Sequence, residues 1–178
     1  MEHLLQQART FSFVEESDMA QAAVQPRSND NVQLRARPSL TIKRNLKAPP
    51  AKIFAAWTDP AKLQKWFLPD ADSEVSHVDF DVREGGRYSI TIRRGDGEHK
   101  HVSGVFREVL PNEKLSFTWA GDCGGTKGPE SLVTVLIKPD GPGSLLTLIH
   151  EQIADETARD GFNRGWTSVL GSLATYLS

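Results

Sequence analysis

His150 is the side chain in this chain best suited to chemistry. It shares one face of a strand-like run with Leu146 and Leu148, because side chains two apart in a strand point the same way. An imidazole on an apolar face is ordinarily a hydrogen-bonded core group, but His150 is also the best candidate for a polar group inside a pocket. Asp81 and Arg83 are likewise two apart and read as a structural ion pair or a solvated face, with presentation to a ligand as the sharper alternative. His99 and His101 share a strand face without a third metal ligand at a recognisable spacing, so no metal site is expected and a solvated edge is the reading. The glycine-rich run from Gly121 to Gly128 fails as a phosphate loop. Thr126 stands where its second glycine belongs and Gly128 where its Ser/Thr belongs. Cys123, inside that run, has no histidine in local reach to activate it. No Ser/His/Asp order, Cys/His pair or close carboxylate pair stands out, so no catalytic residue is assigned.

The elements that would hold these groups are marked by aromatic residues. Ile53, Phe54 and Trp57 fall on one helix face after Pro49-Pro50, and proline is tolerated in a first turn. Asp59-Pro60 opens a second short helix carrying Leu63, Trp66 and Phe67, with Pro69 as its stop. A last helix, read from Phe162 to Leu177, carries Trp166, Val169, Leu170 and Leu173. Between these helices the pattern is strand-like. Val78, Phe80 and Val82 alternate with polar neighbours, as do Tyr88, Ile90 and Ile92, and Leu115, Phe117 and Trp119. Turns are marked by Gly85-Gly86, Gly95-Asp96-Gly97, Pro111-Asn112-Glu113 and Pro139 to Pro142. Hairpins in succession imply an antiparallel sheet, and six or seven such strands curl. The expected fold is α+β: a curved antiparallel sheet of six to seven strands around a long C-terminal helix, with two short helices after the first strand.

Composition bounds the function. A net charge of −2 argues against a nucleic-acid partner, and no apolar run approaches the roughly 20 residues that span a bilayer. One cysteine excludes an internal disulfide and suits a reducing compartment. Glu2 and the lack of an apolar stretch after it argue against a signal peptide, so a cytoplasmic location is expected. Residues 1–38 stand apart: Leu4, Leu5, Ala8 and Phe11 suit a helical turn or two, whereas Glu15 to Asn31 has little apolar surface to offset ordering entropy. We read 1–38 as a flexible extension and 39–178 as the folded domain.

Residues 39–178 resemble the heat-shock-protein-90 ATPase activator homologue-like family of the START-like (SRPBCC) superfamily. The resemblance rests on Ala56-Trp57-Thr58-Asp59-Pro60, Leu63 with Trp66-Phe67, and Asp81 to Gly86. It continues through Gly104 to Val109, Leu115 to Trp119, Leu146 to His150, and Gly165-Trp166 with Leu170 and Leu173. It implies the superfamily's helix-grip fold, whose members are mostly small-molecule binders. Co-chaperone activators carry a separate, larger N-terminal domain, and the extension here is too short and polar to be that domain. The expectation is therefore a small apolar or aromatic ligand in a cavity between the sheet and the C-terminal helix, with no cofactor. Trp66, Tyr88, Phe106, Trp119, His150, Phe162 and Trp166 are the expected lining. Gly161 and Gly165 share one ridge of the last helix; close packing of the sheet is the first reading of them, and space left for a ligand the second. Two rival functions follow from the same residues. One is a cyclase- or hydrolase-like enzyme in which His150, Asp81 or Arg83 polarises a polyketide-like substrate. The other is a co-chaperone-like adaptor working through the outer sheet or residues 1–13.

Overall fold

The alternation read from the sequence becomes a sheet that curls over one helix. The computed structural model describes residues 37–123 and 126–178, and expectations for the first 36 residues lie outside them. Strand β1 (Leu40–Leu46) is followed by helices α1 (Pro50–Thr58) and α2 (Pro60–Leu63). Seven strands come next: β2 (Glu74–Phe80), β3 (Arg87–Arg93), β4 (His99–Leu110), β5 (Lys114–Cys123), the two-residue β6 (Thr126–Lys127), β7 (Ser131–Asp140) and β8 (Gly143–Glu151). Helix α3 (Glu156–Tyr176) ends the chain's regular structure. The sheet runs β1-β8-β7-β5-β4-β3-β2, every pair antiparallel, with β6 a short ribbon on β5. The seven-stranded curved sheet, long C-terminal helix and two short helices are the helix-grip arrangement expected.

Local chemistry sets the element ends. Pro50 opens α1, and the Asp59 carboxylate caps α2 by accepting from the Ala61 amide at 3.0 Å. Helix α3 starts six residues before Phe162, because the Asp155 side chain accepts from the Ala158 amide at 2.8 Å. That first turn is polar and largely exposed, so apolar periodicity does not announce it. Strand β2 stops at Phe80, so Asp81 and Arg83 lie in the following turn rather than on a strand face. There they pair at 2.8 Å in solvent, the structural ion pair. Register shifts at Val75/His77 and at Phe106/Glu108 add residues to one strand of a pair, which bends and twists it.

One core joins these layers. Trp57, Trp66, Phe117 and Trp166 are all buried and meet edge to face or tilted, with Trp57 and Trp66 centroids 5.0 Å apart. Helix α2 ends at Leu63, so Trp66 and Phe67 follow it rather than ride on it. Trp66 is completely buried, and its indole N–H donates to the Ala56 carbonyl at 3.0 Å, which ties the turn after α2 to α1. From α3, Trp166, Val169, Leu170 and Leu173 are buried against the sheet. Among the described residues no helix is long and apolar enough to cross a membrane.

Candidate functional site

Two spaces lie between the sheet and the helices, and they differ greatly in size. Beneath α1 and α2 the aromatic side chains nearly close the interior. A void of about 20 Å³ is left, bounded by Trp57, Tyr88, Phe106, Phe117 and Trp119 among others. That is room for about one water. Beside α3 a cleft of about 790 Å³ opens to solvent, within the roughly 300–1,000 Å³ typical of small-ligand pockets. Its apolar wall includes Ile92, Val102, Trp119, Phe162, Trp166 and Val169.

The seven residues singled out from the sequence therefore divide. Trp119, Phe162 and Trp166 line the cleft. Tyr88 and Phe106 line the small void instead, where Tyr88 donates its hydroxyl to the Thr118 carbonyl at 2.8 Å. Burial pushes that hydroxyl's pKa up, so it stays a donor. Trp66 lines neither space. His150 sits directly behind the cleft wall, with no exposed surface, its ring 4.4 Å from that of Phe162.

Hydrogen bonding assigns the protons around His150 without ambiguity. The Trp166 indole, which can only donate, lies 3.0 Å from Nδ1, so Nδ1 accepts. The ring proton is then on Nε2, which donates to Ser131 Oγ at 2.7 Å. Ser131 in turn donates to the Trp119 carbonyl at 3.1 Å. Burial lowers the His150 pKa to about 4, so the imidazole is neutral at ordinary pH and the chain stays intact. Ser131 borders the cleft and touches a histidine, the outline of a serine nucleophile with its base. The polarity is the reverse of what that chemistry needs. A nucleophilic serine requires a free ring nitrogen to take its proton, held so by an acceptor on the other nitrogen. Here the other nitrogen faces a donor, and Ser131 meets an N–H. The trio braces β5, β7, β8 and α3 against one another.

Ser131 was not visible as a site residue from the sequence. Only its register opposite Trp119, one strand from His150, reveals it. Gly161 and Gly165 overturn the packing reading: among the described residues a Cβ built at either position meets nothing within 4 Å, and both line the cleft. Gly171 is the close approach, where a Cβ would lie 3.3 Å from the Arg44 guanidinium. His101 bonds the Thr91 hydroxyl at 3.0 Å, and among the described residues no cluster of three metal-ligating side chains occurs. Gly121 and Asp122 of β5, and Gly128 just after β6, stand at the cleft.

The family whose members are described as Activator of Hsp90 ATPase homolog 1-like protein matches residues 47–178, and the chain belongs to it. Solved structures agree. Protein CV1439 of Chromobacterium violaceum is 27% identical with a TM-score of 0.71, over 78% of this chain and 96% of that one. The AHSA1 protein SPO3351 of Silicibacter pomeroyi is 29% identical with a TM-score of 0.70, over 79% and 97%. CalU16 of Micromonospora echinospora is 26% identical with a TM-score of 0.60, over 79% and 76%. A comparison with curated proteins finds no match.

Proposed function

We infer that this protein binds a small molecule with a flat apolar or aromatic body in the cleft between the concave sheet and α3. The observation that carries this reading is the cleft of about 790 Å³ walled by Trp119, Phe162 and Trp166. Beneath α1 and α2 the aromatic side chains leave only about 20 Å³, so the open aromatic-lined space beside α3 contrasts with a closely packed region of the same core. Gly161 and Gly165 support the same reading, since each forgoes about 1 kcal/mol of helix propensity while leaving open space over the cleft.

The direct test is mass spectrometry of small molecules retained through native purification, joined to a thermal screen of apolar and aromatic compounds. A ligand specific to the folded state stabilises it by about 2.7 kcal/mol at a hundredfold excess over Kd. For a domain of this size that raises the midpoint by several degrees. Hits should also change tryptophan emission, because Trp119 and Trp166 form the wall. A broad library with no hits and no retained molecule would overturn the reading.

A further inference from the structure

The cleft carries charge at its edges, and that charge is unequal. Lys100 of β4 is in register with Ile92 of β3 and two residues from Val102, both buried on the concave face. Strand alternation therefore sets Lys100 on the cleft side of the sheet, half-buried among apolar neighbours. Arg164 borders the same cleft from α3, next to Gly165. Neither cation has an ion-pair partner among the described residues. Arg94, also at the cleft, is already matched by Asp70 at 3.6 Å and Glu98 at 3.9 Å. The imidazole of His101 is engaged by Thr91. Asp122 is the other acid of the lining, and its buried Oδ1 has no hydrogen-bond donor among the described residues.

An ammonium held beside an apolar wall gains most from an anion brought to it, because the low-dielectric surroundings strengthen the attraction. Within the lining Arg94 and Asp70 cancel, while Glu98 is exposed and stands outside it. Lys100 and Arg164 therefore face the one carboxylate of Asp122, and a single added negative charge balances them. Resting on the binding reading above, we propose that the ligand is an amphipathic organic monoanion. Its aromatic or alkyl body lies on Trp119, Phe162 and Trp166, and its carboxylate-type head sits between Lys100 and Arg164. A hydroxyl on the ligand near the head satisfies Asp122. A dianion leaves the occupied cleft with excess negative charge and binds more weakly.

The test uses matched acids and primary amides on the same skeletons: naphthylacetate with naphthylacetamide, and dodecanoate with dodecanamide. Binding to the full chain is measured by calorimetry at low and high salt, with circular dichroism confirming that each variant folds. The acids should bind at least about tenfold more tightly than the amides, as charge-assisted hydrogen bonds require. The preference should shrink in high salt, shrink in Lys100→Met, vanish in the double variant Lys100→Met/Arg164→Gln and persist in Lys100→Arg. Equal binding of acid and amide, or a preference that survives in the folded double variant Lys100→Met/Arg164→Gln, overturns the monoanion assignment and leaves apolar binding standing. No binding by any member of either pair, together with an empty thermal screen, brings down the binding reading itself.

Discussion

The Trp166 indole nitrogen and the Nδ1 atom of His150 lie 3.0 Å apart, and this contact sets the protonation of the cleft's rear wall. It places the ring proton on Nε2 and turns Ser131 into a hydrogen-bond relay toward the Trp119 carbonyl. Nitrogen-15 NMR should therefore find His150 as the neutral Nε2–H tautomer from pH 8 down to about pH 5. A ring that titrates near the ordinary histidine value would contradict the assignment.

The same burial makes stability depend on pH with a definite sign. His150 binds a proton in the unfolded chain below about 6.5 but in the folded chain only near 4. Between those values the unfolded state holds more protons, so stability is full above pH 6.5 and declines as pH falls toward 4. The span corresponds to a loss of about 3 kcal/mol. Chemical denaturation of wild type and His150→Gln at pH 7 and pH 4.5 should show a smaller pH-dependent loss in the variant. Parallel losses in both proteins would assign the acid sensitivity to other groups.

Two buried tryptophans of similar size should respond differently to phenylalanine. Trp66 donates to Ala56, whereas the Trp57 indole nitrogen is buried with no hydrogen-bond partner among the described residues. Removing the Trp66 N–H leaves a buried carbonyl unsatisfied, a cost of about 1–3 kcal/mol, while removing the Trp57 N–H deletes a group that was already unpaired. Trp66→Phe should thus lower the denaturant midpoint more than Trp57→Phe. Truncating Trp57 to alanine should still cost about 3–5 kcal/mol, because the ring itself fills the core.

Most of the fold was legible because its signals are local. Asp59-Pro60 marks a helix start by its own chemistry, and the alternation of Leu115, Phe117 and Trp119 fixes a buried strand face. The start of α3 was not legible, since Glu156 to Asp160 is polar and only the Asp155 cap shows where the helix begins. The cleft was legible in part. Tyr88, Phe106, Trp119 and Trp166 are all large aromatics on buried faces, and nothing in their types or spacing tells which border a gap. That distinction depends on how far α1 and α2 fill the curl of the sheet. It also depends on the open side of Gly161 and Gly165, a property of tertiary placement. Ser131 is a single hydroxyl on a β-branched strand and gains meaning only from its partners in the neighbouring strands.

The glycines offer the sharpest contrast between space kept open and space already taken. At Gly165 a Cβ meets nothing, so Gly165→Ala should raise stability by up to about 1 kcal/mol through helix propensity alone. Gly165→Leu should remain folded yet project its side chain into the cleft beside Trp166, and any compound found in the thermal screen should lose its effect on that variant. Gly104 is the opposite case. A Cβ there would overlap the Thr118 carbonyl oxygen and come within 2.7 Å of the Tyr88 ring, neither of which can move without breaking the Tyr88–Thr118 hydrogen bond. Gly104→Ala should therefore destabilise by roughly 1–3 kcal/mol, the usual cost of forcing extra volume into a packed core. Urea midpoints for Gly104→Ala and Gly165→Ala should move in opposite directions from wild type. A shared direction would mean that the space over Gly165 is closed in solution, and the cleft would lose its helix-side opening.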